Sequence, residues 1–287
     1  MATGVDSIVV FEPRSVAEAC LVYEDHTRAT VLSGGTWLLS RSNGSRFPIL
    51  DREIISLRHV AELRRISRSE RFLEIGATAS VTDILRTGIN VAPEVLRRSL
   101  ASFGSIPLRN QATLGGNVTI DAFRATAFPV LMMLEAQIEL RTADRARWVP
   151  IARFANPDGT LNRGDGELCT RIRIPLVNWN LHEYRRVGSD IAPSDSNISF
   201  CGVATTKKGV LADVRFCYGS MGKTIVRSRE TEAALASRKI PIHDRDREAI
   251  RGQLGLAIES LTPGLSKIQY RTALRLFDWF IRRISAQ

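Results

Sequence analysis

Two places in this chain set a pair of glycines beside side chains that hydrogen-bond well: Ser33-Gly34-Gly35-Thr36 and Arg109-Asn110-Gln111-Ala112-Thr113-Leu114-Gly115-Gly116-Asn117. Without a Cβ, glycine suits backbone that turns tightly or must be approached closely. Successive N–H groups left unpaired in such a turn, or at the start of a helix, form a concavity that takes phosphate oxygens. Thr36, Thr113 and Asn117 carry side chains able to bond the same oxygens or a chain of hydroxyls. Taken alone, a Gly-Gly pair is more often a tight turn than an anion site, so the surrounding chain has to decide.

That surrounding chain has 287 residues, 44% hydrophobic and 24% charged, enough for two domains with their own cores. No apolar run approaches the ~20 residues of a membrane span. The start, Met1-Ala2-Thr3-Gly4-Val5-Asp6, lacks the basic-then-apolar profile of a signal peptide, so the expected location is the cytoplasm. Cys20, Cys169, Cys201 and Cys217 are scattered, with no C-x-x-C pair and no histidine at ligand spacing. The expectation is buried reduced thiols and no metal in this chain. The net charge of +10 is spread over many arginines, its densest groups as short as Arg64-Arg65 and Arg185-Arg186. That favours a solvated basic face, or one matched to an acidic partner subunit, over nucleic-acid binding.

Read in order, Val9-Val10-Phe11 makes a short strand and Ser15-Val16-Ala17-Glu18 a capping box opening a helix to about Tyr23. Thr30-Val31-Leu32 is a second strand feeding the first glycine pair. Pro48-Ile49-Leu50 and Ile54-Ile55-Ser56-Leu57 are apolar, β-branched runs, and Leu63 to Ile75 reads as a hairpin turning at Arg68-Ser69-Glu70. Ser80-Val81-Thr82-Asp83 is another capping box, Pro93 starts a helix through Leu96 and Leu100, and an apolar helix runs from about Ala127 to Leu134. The Gly-, Asn- and Asp-rich stretch from Asn156 to Gly166 precedes a strand at Arg171-Ile172-Arg173-Ile174-Pro175; the spacing predicts a boundary there, dividing 1–170 from 171–287. Three antiparallel strands follow, at His182–Val187, Ile198–Ala204 and Val210–Tyr218, the last two joined at Lys207-Lys208-Gly209. Three helices end the chain: Ser228 to Ala236, Arg245 to Ser260 and Ser266 to Arg283. In the last, Tyr270, Leu274, Phe277 and Ile281 form one apolar stripe. There is no G-x-G-x-x-G and no G-x-x-x-x-G-K-[ST], which disfavours a Rossmann or P-loop nucleotide site. The fold class is α+β.

The segments Ser33-Gly34-Gly35-Thr36-Trp37-Leu38, fed by Leu32, and Leu108-Arg109-Asn110-Gln111-Ala112-Thr113-Leu114-Gly115-Gly116-Asn117 resemble the two flavin loops of the FAD-binding medium subunits of molybdenum hydroxylases, such as xanthine dehydrogenase and carbon monoxide dehydrogenase. The likeness continues from Ala127 to Leu140 and covers most of the chain. It implies a two-part FAD-binding domain, split near residue 58, then a small antiparallel sheet with helices. It also implies non-covalent FAD held by both loops, a molybdopterin-binding large subunit and a [2Fe–2S] small subunit as partners, and NAD⁺ or another acceptor for the electrons. Arg185 aligns with a family lysine near the flavin ring. Where the family usually reads Ala-Ser-Pro-x-x-Asp, this chain reads Asp121-Ala122-Phe123-Arg124-Ala125-Thr126. Ala122 replaces the serine, and Thr126 replaces an acidic residue whose charge-assisted bond is worth roughly 1.5–3 kcal/mol. Trp37 stands where a small or acidic residue is usual. The resemblance therefore points to an electron-transfer flavoprotein subunit with no catalytic acid or base. A structural subunit that has lost or weakened flavin binding is the alternative, and a flavin oxidase acting alone ranks third.

Overall fold

In a computed structural model of the chain, the described residues are 8–40, 53–88, 90–120, 125–156, 160–188, 197–221 and 224–287. Two segments singled out above, Pro48-Ile49-Leu50 and Asp121-Ala122-Phe123-Arg124, lie outside them.

The first layer is a three-stranded parallel sheet, β1 (Val9–Phe11), β3 (Glu53–Ser56) and β2 (Thr30–Leu32) in that spatial order. Helix α1 (Val16–Asp25) connects β1 to β2 and buries Val16, Ala19, Cys20 and Tyr23 in a small core with Ile55 and Leu63. Ser15 caps it, accepting from the Glu18 N–H at 3.1 Å. The reciprocal half of the expected box is absent, because the Glu18 carboxylate accepts from Arg14 instead, at 2.8 Å. Ser80 does form the full box with Asp83 at the start of α3 (Val81–Arg86).

The second layer is a five-stranded antiparallel sheet in the order β4 (Ile66–Arg68), β5 (Phe72–Gly76), β8 (Leu168–Pro175), β6 (Gln137–Arg141), β7 (Ala146–Pro150). Alternation along the strands sorts its two faces. Ile75, Ile172 and Ile138 stand in one cross-strand row and are fully buried. The neighbouring positions pair Glu74 with Arg173 and Glu139 with Arg171 on the other face. Helices α4 (Glu94–Ala101), α5 (Ile106–Gln111), α6 (Leu114–Val118) and α7 (Phe128–Met133) complete this part of the chain. Residue 170, where the sequence suggested a division, lies inside β8, whose partners on both sides belong to this sheet. The β6–β7 hairpin gave no separate signal in the sequence.

The third layer is a four-stranded antiparallel sheet, β12 (Thr224–Val226), β11 (Val210–Met221), β10 (Ile198–Lys207), β9 (Leu181–Val187), one strand more than the three expected. At three residues, β12 is too short for a periodicity to show. One face of this sheet, with Phe200, Phe216 and Tyr218, packs on α10 (Lys267–Ser285) through Phe277 and Phe280, alongside α8 (Arg229–Leu235) and α9 (Asp244–Leu261). Cys201, Val203 and Cys217 point the other way and join the core of the second layer. There the sheet comes so close to α7 that a Cβ on Gly219 would sit 2.3 Å from Pro129. In α10, Leu274, Phe277 and Ile281 are buried as the stripe predicts. Tyr270 is only partly buried, its hydroxyl facing Gly255 of α9.

Candidate functional site

The two glycine turns meet. The first lies between β2 and α2 (Thr36–Ser40), and the second between α5 and α6. A Cβ on Gly34 would stand 2.0 Å from the Gln111 carbonyl oxygen, so the turns touch backbone to backbone. The Ser33 hydroxyl donates across the junction to Thr113 Oγ1 at 3.1 Å. A third stretch, Ala77 to Ser80, supports the second turn from below. Gly115 N–H donates to the Ala77 carbonyl at 2.9 Å, Leu114 N–H to that of Ala79 at 3.1 Å, and Ser80 bridges Thr113.

The four glycines have different causes. Gly34 and Gly115 make room for backbone, since a Cβ on Gly115 would lie 2.6 Å from the Ala77 carbonyl oxygen. Gly35 has φ of +67°, a left-handed conformation that favours glycine. Gly116 answers to neither reason. Among the described residues, a Cβ there would meet only the Thr113 hydroxyl, at 2.8 Å. Its Cα faces space that no other described residue fills.

The polar groups beside Gly116 share one property. Thr113 Oγ1 accepts both from the Gly116 N–H, at 3.1 Å, and from Ser33. With both lone pairs engaged, its remaining capacity is its own O–H. Asn117 is buried, and its Oδ1 accepts from the Ala127 N–H at 3.0 Å, leaving the amide nitrogen as a donor. The first N–H groups of α2 have no acceptor within the helix. The Thr113 hydroxyl and the Asn117 amide thus keep donors suited to a ligand rich in acceptor oxygens, while Ser33, having given its hydrogen to Thr113, keeps acceptor capacity.

Leu32, Ser33, Gly34, Gly35, Thr36, Trp37, Leu38, Thr113, Gly115, Gly116 and Asn117 are thus brought together, with Trp37 half-buried in the first turn of α2. Thr126 joins them through its neighbour Ala127, and its own carbonyl accepts from Ser99 Oγ at 3.1 Å. Arg185 does not join them. It is exposed and stacks on Trp279 of α10, its guanidinium carbon 4.1 Å from the ring centre. Because side chains alternate along β9, Tyr184 and Arg186 take the opposite face, where Tyr184 packs on the second-layer core. The sequence also gave no sign of Ser99 or of the Ala77–Ser80 support, since both act through backbone partners far along the chain.

Elsewhere, Arg215, Arg227 and Arg229 close on Glu135 at 3.1, 3.4 and 2.9 Å, where α7 ends against the third layer. Burial pushes the Glu135 carboxyl up, but the three guanidinium groups, Arg215 foremost, bring it below its ordinary value. The four cysteines are buried and free. Among the described residues no His, Cys, Asp and Glu cluster has metal-binding form, and no helix is long and apolar enough to cross a membrane.

Comparison with known proteins agrees with this geometry. Residues 5–177 match the family described as the FAD binding domain in molybdopterin dehydrogenase, a stretch that ends two residues beyond β8. The chain is 25% identical over 235 residues to the glyceraldehyde dehydrogenase medium chain of Sulfolobus acidocaldarius, covering 79% of this chain and 80% of that one. It is 26% identical over 246 residues to the xanthine dehydrogenase FAD-binding subunit of Escherichia coli O157:H7, covering 82% and 81%. Among solved structures, the fold is similar to that of a chain of CO dehydrogenase from Oligotropha carboxidovorans, with a TM-score of 0.79 and 19% identity over 99% of this chain and 97% of that one. Quinoline 2-oxidoreductase from Pseudomonas putida 86 gives 0.77 and 22%, over 98% and 96%. The chain belongs to the family of FAD-binding domains of molybdopterin dehydrogenases.

Proposed function

We propose that this chain is the electron-transfer flavoprotein subunit of a molybdenum hydroxylase, binding one FAD non-covalently beside a molybdopterin-binding large subunit and a [2Fe–2S] small subunit. The observation that carries the reading is the face without Cβ at Gly116, where the two turns meet, with the Thr113 hydroxyl and the Asn117 amide beside it. Bound FAD would supply the redox chemistry, receiving electrons from iron–sulfur clusters of a partner and releasing them to NAD⁺ or another acceptor.

The chain's own residues bind and orient. Gly116 offers a face without Cβ where the two glycine turns meet, the arrangement that suits the close approach of a pyrophosphate. The Thr113 hydroxyl and the Asn117 amide donate to ligand oxygens, each held in place by the bond it already makes to the chain. Thr126 supplies a neutral hydroxyl where the family has a carboxylate, so it holds the ligand through one uncharged bond. Arg185, stacked on Trp279, lies apart from the glycine turns and is not needed for this binding.

The test is a visible spectrum of the chain, alone and co-purified with its partners, before and after incubation with FAD and desalting. Flavin bands that survive desalting and move to the supernatant on acid precipitation support the proposal. Reduction of those bands by the substrate that the complex oxidises, with return on adding NAD⁺, supports the direction of electron flow. A complex that is fully assembled yet colourless in the flavin region would leave the chain as a structural subunit, the reading that the changes at Thr126 and Trp37 favour.

A further inference from the structure

The segment carrying Thr126 is held from two sides, and only one of them belongs to the glycine turns. Asn117 fixes the Ala127 N–H. On the other side Ser99 of α4, fully buried, donates to the Thr126 carbonyl at 3.1 Å. The same turn of α4 is anchored to the third layer. Arg98 donates to the His182 carbonyl at 2.7 Å and meets the buried Glu183 carboxylate at 3.3 Å, and Ser102 Oγ lies 3.3 Å from the Tyr184 hydroxyl. Ser102 also donates to the Ser99 carbonyl at 2.7 Å, closing the turn on itself. Ser99 therefore stands on a platform that β9 holds rigid.

We propose that Ser99 is a positioning residue for the FAD site, setting the peptide of Thr126 so that its side chain meets the ligand; this rests on the reading of that site as the flavin's. Without the Ser99 hydroxyl, the Thr126 carbonyl loses this donor and the peptide samples other orientations. Binding FAD must then order it again, and affinity falls. Ser99 touches no ligand itself.

The experiment compares the wild-type full chain with Ser99→Ala and Ser99→Cys. FAD dissociation constants are read by fluorescence, and melting temperatures with and without FAD. Ser99→Ala is expected to weaken FAD about fivefold to tenfold and to shrink the FAD-induced rise in melting temperature. Ser99→Cys, near in shape and with a weak S–H donor, falls between the two, and also serves if the alanine variant does not fold. A merely structural hydroxyl would lower both melting temperatures together while leaving the FAD-induced rise and the dissociation constant unchanged, and that result overturns the positioning role alone. A wild type that binds no FAD overturns both the role and the reading beneath it.

Discussion

Gly34 and Gly116 look alike in the sequence, and the structure predicts opposite consequences for changing them to alanine. In Gly34→Ala the new methyl meets backbone, 2.0 Å from the Gln111 carbonyl oxygen, 2.8 Å from its carbon and 3.2 Å from Ala112 Cα. No rotamer relieves that contact, so the turns must separate by more than an ångström. Overpacking of this kind costs about 1–3 kcal/mol. Separation also stretches the Ser33–Thr113 bond, worth about 1 kcal/mol. The expected loss is about 2–4 kcal/mol. In Gly116→Ala the methyl meets, among the described residues, only the Thr113 hydroxyl, so the expected cost is that of disturbing the cap of α6, about 0.5–2 kcal/mol. Yet that methyl stands in the face assigned to the pyrophosphate, and FAD binding should fall by more than a hundredfold, about 3 kcal/mol or above. Urea unfolding of the FAD-free variants and FAD titration separate the two effects. If Gly34→Ala unfolds at the wild-type midpoint, the turns are not in contact. If Gly116→Ala binds FAD like the wild type, the open face beside it is not the ligand's.

Arg227 is buried against Glu232 at 2.9 Å, with further bonds to the Met132 carbonyl and Glu135. Arg227→Ala leaves a buried carboxylate without its cation and should cost about 3–5 kcal/mol in urea unfolding; a loss under 1 kcal/mol would show that the third layer is not tied to α7 this way. Burial lowers the pKa of His182 from 6.5, and its Nδ1 is buried without a partner. A neutral histidine of this kind contributes stability that is complete above pH 6.5 and lost as the pH falls from there through the lowered value. His182→Gln should flatten that part of the stability curve, and an unchanged slope between pH 5 and 6.5 counts against it. Arg185→Ala removes the stacking on Trp279, about 0.5–1 kcal/mol, and should leave the FAD dissociation constant unaltered; a marked weakening would restore Arg185 to the site.

The layers themselves were largely legible because their causes are local. Ser15, Ser80 and Ser228 announce α1, α3 and α8, and the apolar stripe of α10 fits its register on the third sheet. The sequence says least where a long-range partner decides. Arg171 to Pro175 reads as a new beginning after a polar loop, but its place between β5 and β6 is fixed by pairing with residues about 30 and 100 positions earlier. Arg185 and Arg186 are indistinguishable until it is known which face of β9 meets α10. The glycine turns could be found by their residue types, whereas backbone contact at Gly34 and Gly115, and at Gly116 a face that among the described residues meets only Thr113, exist only once the chain has folded.

That joining bears on how an altered site could keep its function. If the ligand itself organised the segment around Thr126, replacing a carboxylate there would remove both a contact and the segment's order. Here the order comes from the chain. Asn117 holds Ala127, and Ser99 holds Thr126 from a helix braced against β9. Thr113 is likewise fixed by Ser33 and Gly116 before any ligand arrives. A site ordered in advance avoids the entropy of assembling itself on binding, about 0.5–1.5 kcal/mol for each side chain that would otherwise be immobilised. Two or three such groups offset the roughly 1.5–3 kcal/mol that a charge-assisted bond would have contributed. On that arithmetic, the exchange to Thr126 weakens FAD only modestly while Ser99 and Asn117 stay in place, and removing Ser99 adds a further weakening of about fivefold to tenfold. Thr126→Asp in the wild-type background should therefore add the charge-assisted bond to a segment already in order and tighten FAD by about 1.5–3 kcal/mol, roughly tenfold to a hundredfold, and an unchanged dissociation constant would mean that this side chain does not meet the ligand.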